Sequence, residues 1–328
     1  MNRIPAAVIG LGQIGFGYDS DRDRDDNAVL QTHASALHAH PGFELVAAVD
    51  LDAGKREGFE RKYGKPAYPS LEACASRHEP ELFMVGVPTA FHHPVCDSIL
   101  RGAPRAILCE KPFTGEVALA EDLIAKSQRR NCLLAVNYNR RFIPAMEILR
   151  REIAVGKFGE IYKATLFYCK GIRHNGCHFI DLLGYLLGDC SGIRIIRKGR
   201  AAAHGDWEPD VALRFGETDL YALAGRDESY YMGEFELIGT KGKVVFVDGE
   251  PIRTYVSAVN PLFPSENNLQ PPSVLENPDS RALYHVLDNI ALALNQGSPL
   301  KSTGETALRA LKTLDRIQAG ILAHTEAI

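Results

Sequence analysis

Three glycines near the amino terminus have the spacing that binds a dinucleotide pyrophosphate. The stretch V-I-G-L-G-Q-I-G contains the G-x-G-x-x-G pattern at Gly10, Gly12 and Gly15. Between a buried strand and a helix, the first glycine permits a tight turn and the second lets the backbone approach the phosphates, while the third lets helix and strand pack closely. Gln13 and Ile14 lie within the same turn and belong to the predicted cofactor site.

An acidic residue at the end of the second apolar run indicates which dinucleotide is bound. Asp50 follows the run 45–49. A carboxylate at this position accepts hydrogen bonds from the adenosine ribose and repels a 2′-phosphate, which favours NAD over NADP.

Between the glycines and Asp50 lies an insertion. The segment 19–26 reads D-S-D-R-D-R-D-D and has no apolar periodicity, so we expect a solvated loop or a lid, with helix resuming at Thr32. The aspartates do not form a calcium loop of the EF-hand type, because Arg24 occupies the glycine position and Leu30 the final glutamate position.

Polar residues follow the fourth, fifth and sixth apolar runs. In doubly wound sheets, ligands lie beyond the carboxyl ends of the strands. The residues that we expect to border the nicotinamide end of the cofactor are Pro88, Thr89, His92, Glu110, Lys111 and Asn137. A lysine between Glu110 and Pro112 at a buried strand end favours a functional role over a surface ion pair.

A second group of candidate residues follows in the segment H-N-G-C-H-F-I-D. A helix from about residue 176 would bury its leucines and present His178 and Asp181 near its start. His174 and His178 have a spacing that also suits a metal, but no third ligand such as the glutamate of H-E-x-x-H is evident, so we predict no metal site. A hydrogen-bonded core histidine is the alternative for both residues.

The surrounding pattern predicts two domains. Apolar strands alternate with helices through residues 1–137, which is typical of a doubly wound parallel sheet with helices on both faces. Residues 138–328 contain several strands with few helices between them and predict an α+β domain whose mostly antiparallel sheet is open on one face. The features expected there are a hairpin turn at 239–242, a long loop at 260–278, and closing helices at about 280–296 and 304–324.

Composition narrows the function classes. The 328 residues carry a formal net charge of −4 and no long basic block, so we expect no nucleic-acid partner. No apolar run reaches the length of a transmembrane helix, and we expect no membrane partner. The seven cysteines are scattered and form no C-x-x-C, which indicates reduced thiols in a cytoplasmic protein, mostly in the core.

Together these motifs resemble the family of glucose-fructose oxidoreductase, inositol dehydrogenase and MocA-type proteins. The resemblance rests on G-L-G-Q-I-G, P-T-x-x-H at 88–92, E-K-P at 110–112 and H-x-x-D at 178–181, and E-K-P with the downstream H-x-x-D is more specific than the glycine motif. It implies a Rossmann domain and NAD(P)-dependent oxidation or reduction of a carbohydrate carbon. It also implies oligomerisation through the open sheet, as a homodimer or homotetramer.

The resemblance also implies roles for individual residues. Lys111 would orient the substrate oxygen and stabilise its charge, and His178 would be the general acid/base that moves the hydroxyl proton. Many relatives carry aspartate four residues before this histidine, where this chain has His174, so the division of labour among Lys111, His174 and His178 stays open.

Further side chains bear on the substrate. Two arginines facing a cleft could bind a carboxylate or phosphate, which would favour an acidic sugar or a nucleotide sugar. The candidates for substrate contact, besides Lys111 and His178, are Arg140, Arg141, Arg173, Asn175 and Asp181. Ordinary surface or ion-paired arginines are the alternative. A neutral-polyol dehydrogenase of the inositol type and a regulator that binds NAD and a sugar without turnover are the alternative functions.

Overall fold

A computed structural model describes residues 3–202, 205–276 and 281–323. The helices are α1 (His33–Ala39), α2 (Ala53–Tyr63), α3 (Leu71–Ala75), α4 (His92–Leu100), α5 (Val117–Arg129), α6 (Pro144–Ala154), α7 (Cys177–Leu187), α8 (Ala282–Gln296) and α9 (Gly304–Ala323). The strands are β1 (Ile4–Ile9), β2 (Phe43–Val49), β3 (Ala67–Tyr68), β4 (Leu82–Val85), β5 (Ala106–Cys109), β6 (Leu133–Val136), β7 (Ile161–Tyr168), β8 (Cys190–Ala201), β9 (Trp207–Phe215), β10 (Thr218–Ala224), β11 (Gly233–Gly239), β12 (Gly242–Val247), β13 (Ile252–Val259), β14 (Asn267–Leu269) and β15 (Ser273–Leu275).

The chain divides into two compact units. The first contains Met1–Phe142 and Ser280–Leu308, and the second contains Ile143–Asp279 and Arg309–Ile328. Residues 280–308 therefore group with the first unit, although the sequence pattern placed them with 138–328. The reason is packing: one face of α8 buries apolar side chains in the same core as β1 and α1, namely Leu283, Val286, Leu287 and Ile290.

The first unit is built on a parallel sheet of six strands in the order β3-β2-β1-β4-β5-β6. Its strands are short and almost wholly apolar, as burial between two layers of helices requires. The order reverses between β1 and β4, and ligands of such sheets lie beyond the strand ends at this point. The doubly wound fold predicted from the sequence is confirmed.

The helix that normally follows the glycine turn is interrupted. After Gly15 the chain leaves the helical path, forms a short 3₁₀ turn at Gly17–Asp19, and returns as α1 at His33. The amides of His33 and Ala34 then donate to the carbonyl oxygens of Ile14 and Gly15, at 2.9 and 3.1 Å. Helix α1 therefore continues the turn that the glycines begin, and the residues between them form a looped excursion.

The excursion is anchored by Asp19, which is only 2% exposed. Its carboxylate accepts from the hydroxyl of Thr32, the residue that caps α1, at 2.8 Å, and Lys62 of α2 donates to its backbone carbonyl. Residues 21–28 are exposed. The expected solvated loop is confirmed for them, but the expectation was wrong for Asp19.

The second unit is built on a nine-stranded sheet, and its main path runs β14-β13-β12-β11-β7-β10-β9-β8, with β15 paired to β13. Neighbouring strands are antiparallel except β7 and β10. One face is buried, with Phe246 of β12 against Phe179 of α7. The other face exposes aromatic side chains such as Phe167 (43%) and Tyr221 (36%), so the predicted open-faced sheet is confirmed.

One region of this unit differs from expectation. The sequence predicted a loop over 260–278, of which residues 277 and 278 lie outside the described residues, and nothing was predicted for 252–259. The structure instead places β13 over 252–259 and pairs it with the short strands β14 and β15. Strands β14 and β15 lie among proline and asparagine residues. Because such residues are typical of turns, the sequence here predicts a loop. The hairpin at 239–242 is confirmed by the pairing of Gly239 with Gly242.

The seven cysteines form no disulfide bonds, and six of them are buried, as expected. Within the described residues, no helix combines the length and apolar character that crossing a membrane would require.

Candidate active site

The glycine turn has the geometry that the motif requires. Gly10 has a φ of +93°, and a Cβ there would lie 2.9 Å from the carbonyl oxygen of Gly86. A Cβ at Gly15 would lie 1.9 Å from the carbonyl oxygen of Gly10. Neither position accepts a side chain, so the turn depends on glycine for both its conformation and its packing.

This turn also offers unpaired donors. Among the described residues, the backbone amides of residues 12–15 have no hydrogen-bond acceptor. Gln13 is exposed and Ile14 is half-buried, and a Cβ at Gly12 would meet an atom only at 4.0 Å. Open amides at the start of a helix bind anions. The turn therefore fits a dinucleotide pyrophosphate.

Asp50 lies beside the glycine turn. Its Oδ2 accepts from the amide of Leu11 at 2.6 Å, and its Oδ1 accepts from the amide of Asp52 at 2.8 Å. The guanidinium of Arg56 donates to the carbonyl oxygens of Asp50 and Leu51. The carboxylate is thus fixed next to the turn, at the position that contacts the adenosine ribose in doubly wound sheets.

A buried polar network connects the ends of β5 and β6 with the start of α1. Oε1 of Glu110 accepts from Nε2 of His33 at 2.9 Å and from the side-chain Nδ2 of Asn137 at 2.6 Å. His33 is 0% exposed, Asn137 2% and Glu110 7%. Burial alone would raise the pKa of Glu110, but these hydrogen bonds and the positive charge of Lys111 hold it below its ordinary value. The network therefore fixes an ionised carboxylate directly before Lys111.

Lys111 is half-buried and precedes Pro112 through a cis peptide bond. The loop that carries it is held by His92, which is 1% exposed. Nδ1 of His92 lies 3.0 Å from the carbonyl oxygen of Pro112, and Nε2 lies 2.8 Å from that of Val87. His92 thus joins the ends of β4 and β5 through backbone contacts, where a direct cofactor contact was predicted.

Pro88 and Thr89 precede this histidine at the edge of the sheet. Pro88 is exposed and begins the 3₁₀ turn Thr89–Phe91, while Thr89 is half-buried. The structure therefore brings Asn137, Glu110, Lys111 and the 88–92 segment to the carboxyl edge of the sheet that holds the glycine turn.

In the second unit, the predicted histidine segment is helical in two steps. Residues Gly171–Gly176 form a π-helical turn, and α7 begins at Cys177. His174 is exposed and His178 is half-buried, while Asp181 is only 2% exposed. Asn175 is also buried, and its side-chain Nδ2 donates to the carbonyl oxygen of Cys169 at 3.0 Å. The described residues contain no group of three or more histidine, cysteine or acidic side chains arranged to hold a metal.

Two of the three candidate arginines have partners within the protein. Arg173 pairs with Asp315 at 2.7 Å. Arg141 is 6% exposed and donates to the carbonyl oxygen of Lys301 at 3.0 Å. Arg140 lies beside it in the short 3₁₀ turn Asn139–Phe142. These contacts favour the alternative of ion-paired and structural arginines for Arg173 and Arg141.

Sequence reasoning missed three residues that support the site. His33 is separated from the glycine motif by the excursion, so its spacing gave no signal. Asp206 and Glu208 of the β8–β9 region bind the backbone of the histidine segment. Asp206 directly precedes β9 and Glu208 is the second residue of that strand, and no local pattern marks either residue as the support of a turn distant in sequence.

Comparison with known proteins shows what this chain is similar to. Residues 26–138 match the sequence profile of the oxidoreductase family with an NAD-binding Rossmann fold. The chain is 30% identical over 151 residues to a trans-1,2-dihydrobenzene-1,2-diol dehydrogenase of Macaca fuscata fuscata, a match that covers 46% of this chain and spans only 43% of that relative's length. It is 23% identical over 333 residues to an inositol 2-dehydrogenase of Rhizobium meliloti, with 94% of each chain covered.

The fold has close structural counterparts. The UDP-N-acetylglucosamine 3-dehydrogenase GnnA of Acidithiobacillus ferrooxidans superimposes with a TM-score of 0.76 at 17% identity, over 98% of this chain and 99% of that one. Over residues 26–138 the chain therefore resembles the glucose-fructose oxidoreductase, inositol dehydrogenase and MocA family.

Proposed function

We propose that this protein is an NAD-dependent oxidoreductase that transfers a hydride between nicotinamide and a hydroxyl-bearing carbon of a sugar or sugar derivative. The observation that carries the proposal is the buried network of Glu110, His33 and Asn137 directly before Lys111. Burying a charge is unfavourable unless it is compensated, and here the hydrogen bonds from His33 and Asn137 compensate the carboxylate of Glu110. The compensated carboxylate lies directly before Lys111, which supports a role for that lysine at the reacting end of the site.

The glycine turn supports the cofactor. Its open amides suit the pyrophosphate, and Asp50 supplies acceptors for the adenosine ribose and a charge that repels a 2′-phosphate. NAD is therefore the proposed cofactor, with NADP the less favoured one. When bound, nicotinamide supplies the carbon that gives or receives the hydride.

We assign the chemical roles to two residues. Lys111 orients the substrate oxygen and stabilises negative charge that develops on it. His178 takes the hydroxyl proton during oxidation and returns it during reduction, a role that suits an imidazole because its ordinary pKa is near neutral. His174, exposed one turn before His178, is the third candidate.

For the substrate we favour a nucleotide sugar. One structural counterpart is named for UDP-N-acetylglucosamine, and one relative is named for inositol. His174 stands where many relatives carry aspartate, which counts against a neutral polyol of the inositol type. Arg141 and Arg173 have partners within the protein, so the support for a nucleotide sugar comes from the structural counterpart named for such a substrate and from His174.

The open face of the second sheet supports self-association. Phe167 and Tyr221 are exposed there, and Lys163 pairs with Asp219 beside them. An exposed face with aromatic residues and a paired charge rim resembles a subunit interface. We propose a homodimer or homotetramer formed through this face. Light scattering at working concentration tests it, and a monomer would contradict it.

A substrate scan tests the proposed function. Purified protein is mixed with NAD or NADH and a panel of UDP-sugars, sugar acids and inositols, and nicotinamide absorbance is followed. We expect turnover of at least one nucleotide sugar. Lys111→Ala and His178→Ala should each lower kcat by about 100-fold or more while NADH binding, measured by nicotinamide fluorescence, stays within about twofold.

Two outcomes would contradict the proposal. Unchanged turnover in both variants would remove the assigned roles. Tight NADH binding by the wild-type protein with no turnover across the panel would favour the regulatory alternative, in which the protein binds cofactor and sugar without chemistry.

A further inference from the structure

We propose that Asp206, assisted by Glu208, is the residue that positions His174 and His178. The inference rests on the proposed function, because it concerns the same histidines. The residues involved all lie in the second unit, and the contacts are hydrogen bonds from backbone amides to carboxylates.

The backbone before α7 is in conformations that side chains rarely adopt. Lys170 has a φ of 63° and Gly171 a φ of 82°, and the π-helical turn Gly171–Gly176 follows directly. Left-handed non-glycine residues and π turns persist only where their surroundings hold them, and they are frequent at functional sites. The segment that carries both histidines therefore needs an external support.

Two carboxylates supply that support. Oδ2 of Asp206 accepts from the amides of Arg173 and His174, both at 2.9 Å, and Oδ1 accepts from the amide of Trp207 at 2.7 Å. Asp206 is 6% exposed. Its acceptors are thus used on backbone amides, two of which belong to the histidine segment.

Glu208 supports the start of the same turn. Oε1 of Glu208 accepts from the amides of Lys170 at 2.8 Å and of Gly171 at 3.3 Å, and Arg200 donates to its other oxygen. Glu208 is 2% exposed. Negative charge at the amino-terminal end of a helical segment is also favoured by the helix dipole.

The carboxylate of Asp206 packs closely against Gly171. A Cβ at Gly171 would lie 2.1 Å from Oδ2 of Asp206, so the carboxylate occupies the space that glycine leaves. Removing Asp206 would leave the amides of Arg173 and His174 without their acceptor and free the turn to relax. A shift of about 1 Å in a reacting group lowers the rate by up to about 100-fold. Asp206 therefore acts through His174 and His178, as a positioning residue.

The first test needs no substrate. Protein labelled with ¹³C at the Cε1 carbon of histidine is compared by NMR in four forms: wild type, Asp206→Ala, Asp206→Asn and Asp219→Asn. Asp219 is the matched control, because its carboxylate pairs with Lys163 at 2.8 Å and contacts neither the turn nor Arg200. The signals of His174 and His178 are assigned from His174→Gln and His178→Gln.

We expect the signals of His174 and His178 to shift or broaden in Asp206→Ala and to stay in place in Asp219→Asn. Asp206→Asn should give smaller changes, since its amide oxygen still accepts from the turn. If Asp206→Ala does not fold, Asp206→Asn carries the test. Wild-type positions for both signals in every folded Asp206 variant would overturn the inference.

The second test uses the proposed substrate. Asp206→Ala should lower kcat by about 10- to 100-fold per folded protein, with Asp206→Asn recovering at least part of the loss, while KM and the Kd for NADH change less than threefold. A purely structural role would lower the Tm and leave kcat per folded protein unchanged, which would overturn the inference. If wild-type protein turns over nothing, the proposed function fails, and the histidine spectra alone decide the role of Asp206.

Discussion

The hydrogen bond between His33 and Glu110 should contribute measurably to the stability of the first unit. Both side chains are buried, and Nε2 and Oε1 are 2.9 Å apart. Hydrogen bonds to charged groups contribute about 1.5–3 kcal/mol. A double-mutant cycle with His33→Ala and Glu110→Gln should therefore give a coupling free energy of about 2 kcal/mol at pH 7.

The coupling should also depend on pH with a defined sign. The pKa of Glu110 in the folded protein is below its ordinary value of 4.5. The stabilisation from its ionised form is complete above that value and is lost as the pH falls below 4.5 toward the folded pKa. The coupling should thus decline as the pH falls from 4.5 toward the folded pKa of Glu110.

Urea unfolding followed by far-UV circular dichroism measures the four free energies. The control is His38→Ala, because His38 lies in the same helix and contacts the exposed Asp25. Its coupling to Glu110→Gln should be undetectable. A coupling between His33 and Glu110 below about 0.5 kcal/mol at pH 7 would refute the reasoning, since unconnected sites are additive within that margin.

Three further predictions follow from single sites. Gly15→Ala should abolish NADH binding, measured by fluorescence titration, because its Cβ would overlap a carbonyl oxygen of the glycine turn, while Gly115→Ala, with open space around it, should bind normally. Asp50→Ser should shift the ratio of the Kd values for NADH and NADPH at least about tenfold toward NADPH, since a repulsive charge is removed; an unchanged ratio would show that Asp50 does not select the cofactor. Burial raises the pKa of Cys74 to about 11 and that of Cys132 to about 12, so a thiol reagent should label at most one cysteine in the native protein at pH 8 and all seven after denaturation.

Much of the first unit could be predicted from the sequence because its signals are local. Buried parallel strands are apolar throughout, and the glycine pattern depends on the conformation of a few consecutive residues. Glu110, Lys111 and Asn137 could be selected as candidate site residues because they follow apolar strands, and ligands of doubly wound sheets lie beyond the strand ends.

The remaining features depend on contacts between distant residues. His33 reaches Glu110 only because α1 returns to the carbonyl oxygens of Ile14 and Gly15 after the excursion. Asp206 directly precedes β9, and the turn that it supports is distant in sequence. No local pattern indicates that its carboxylate is buried. The grouping of α8 with the first unit likewise follows from packing rather than from its place in the chain.

The central claim is that hydride moves between nicotinamide and a sugar carbon under the control of Lys111 and His178. The most direct measurement uses NADH carrying deuterium at the transferable C4 position, incubated with oxidised nucleotide sugars, with the products examined by mass spectrometry. The account predicts one deuterium on a sugar carbon with wild-type protein and, in the same time, at most about one hundredth as much with His178→Ala. Tight binding of the labelled NADH with no deuterium in any product would contradict it.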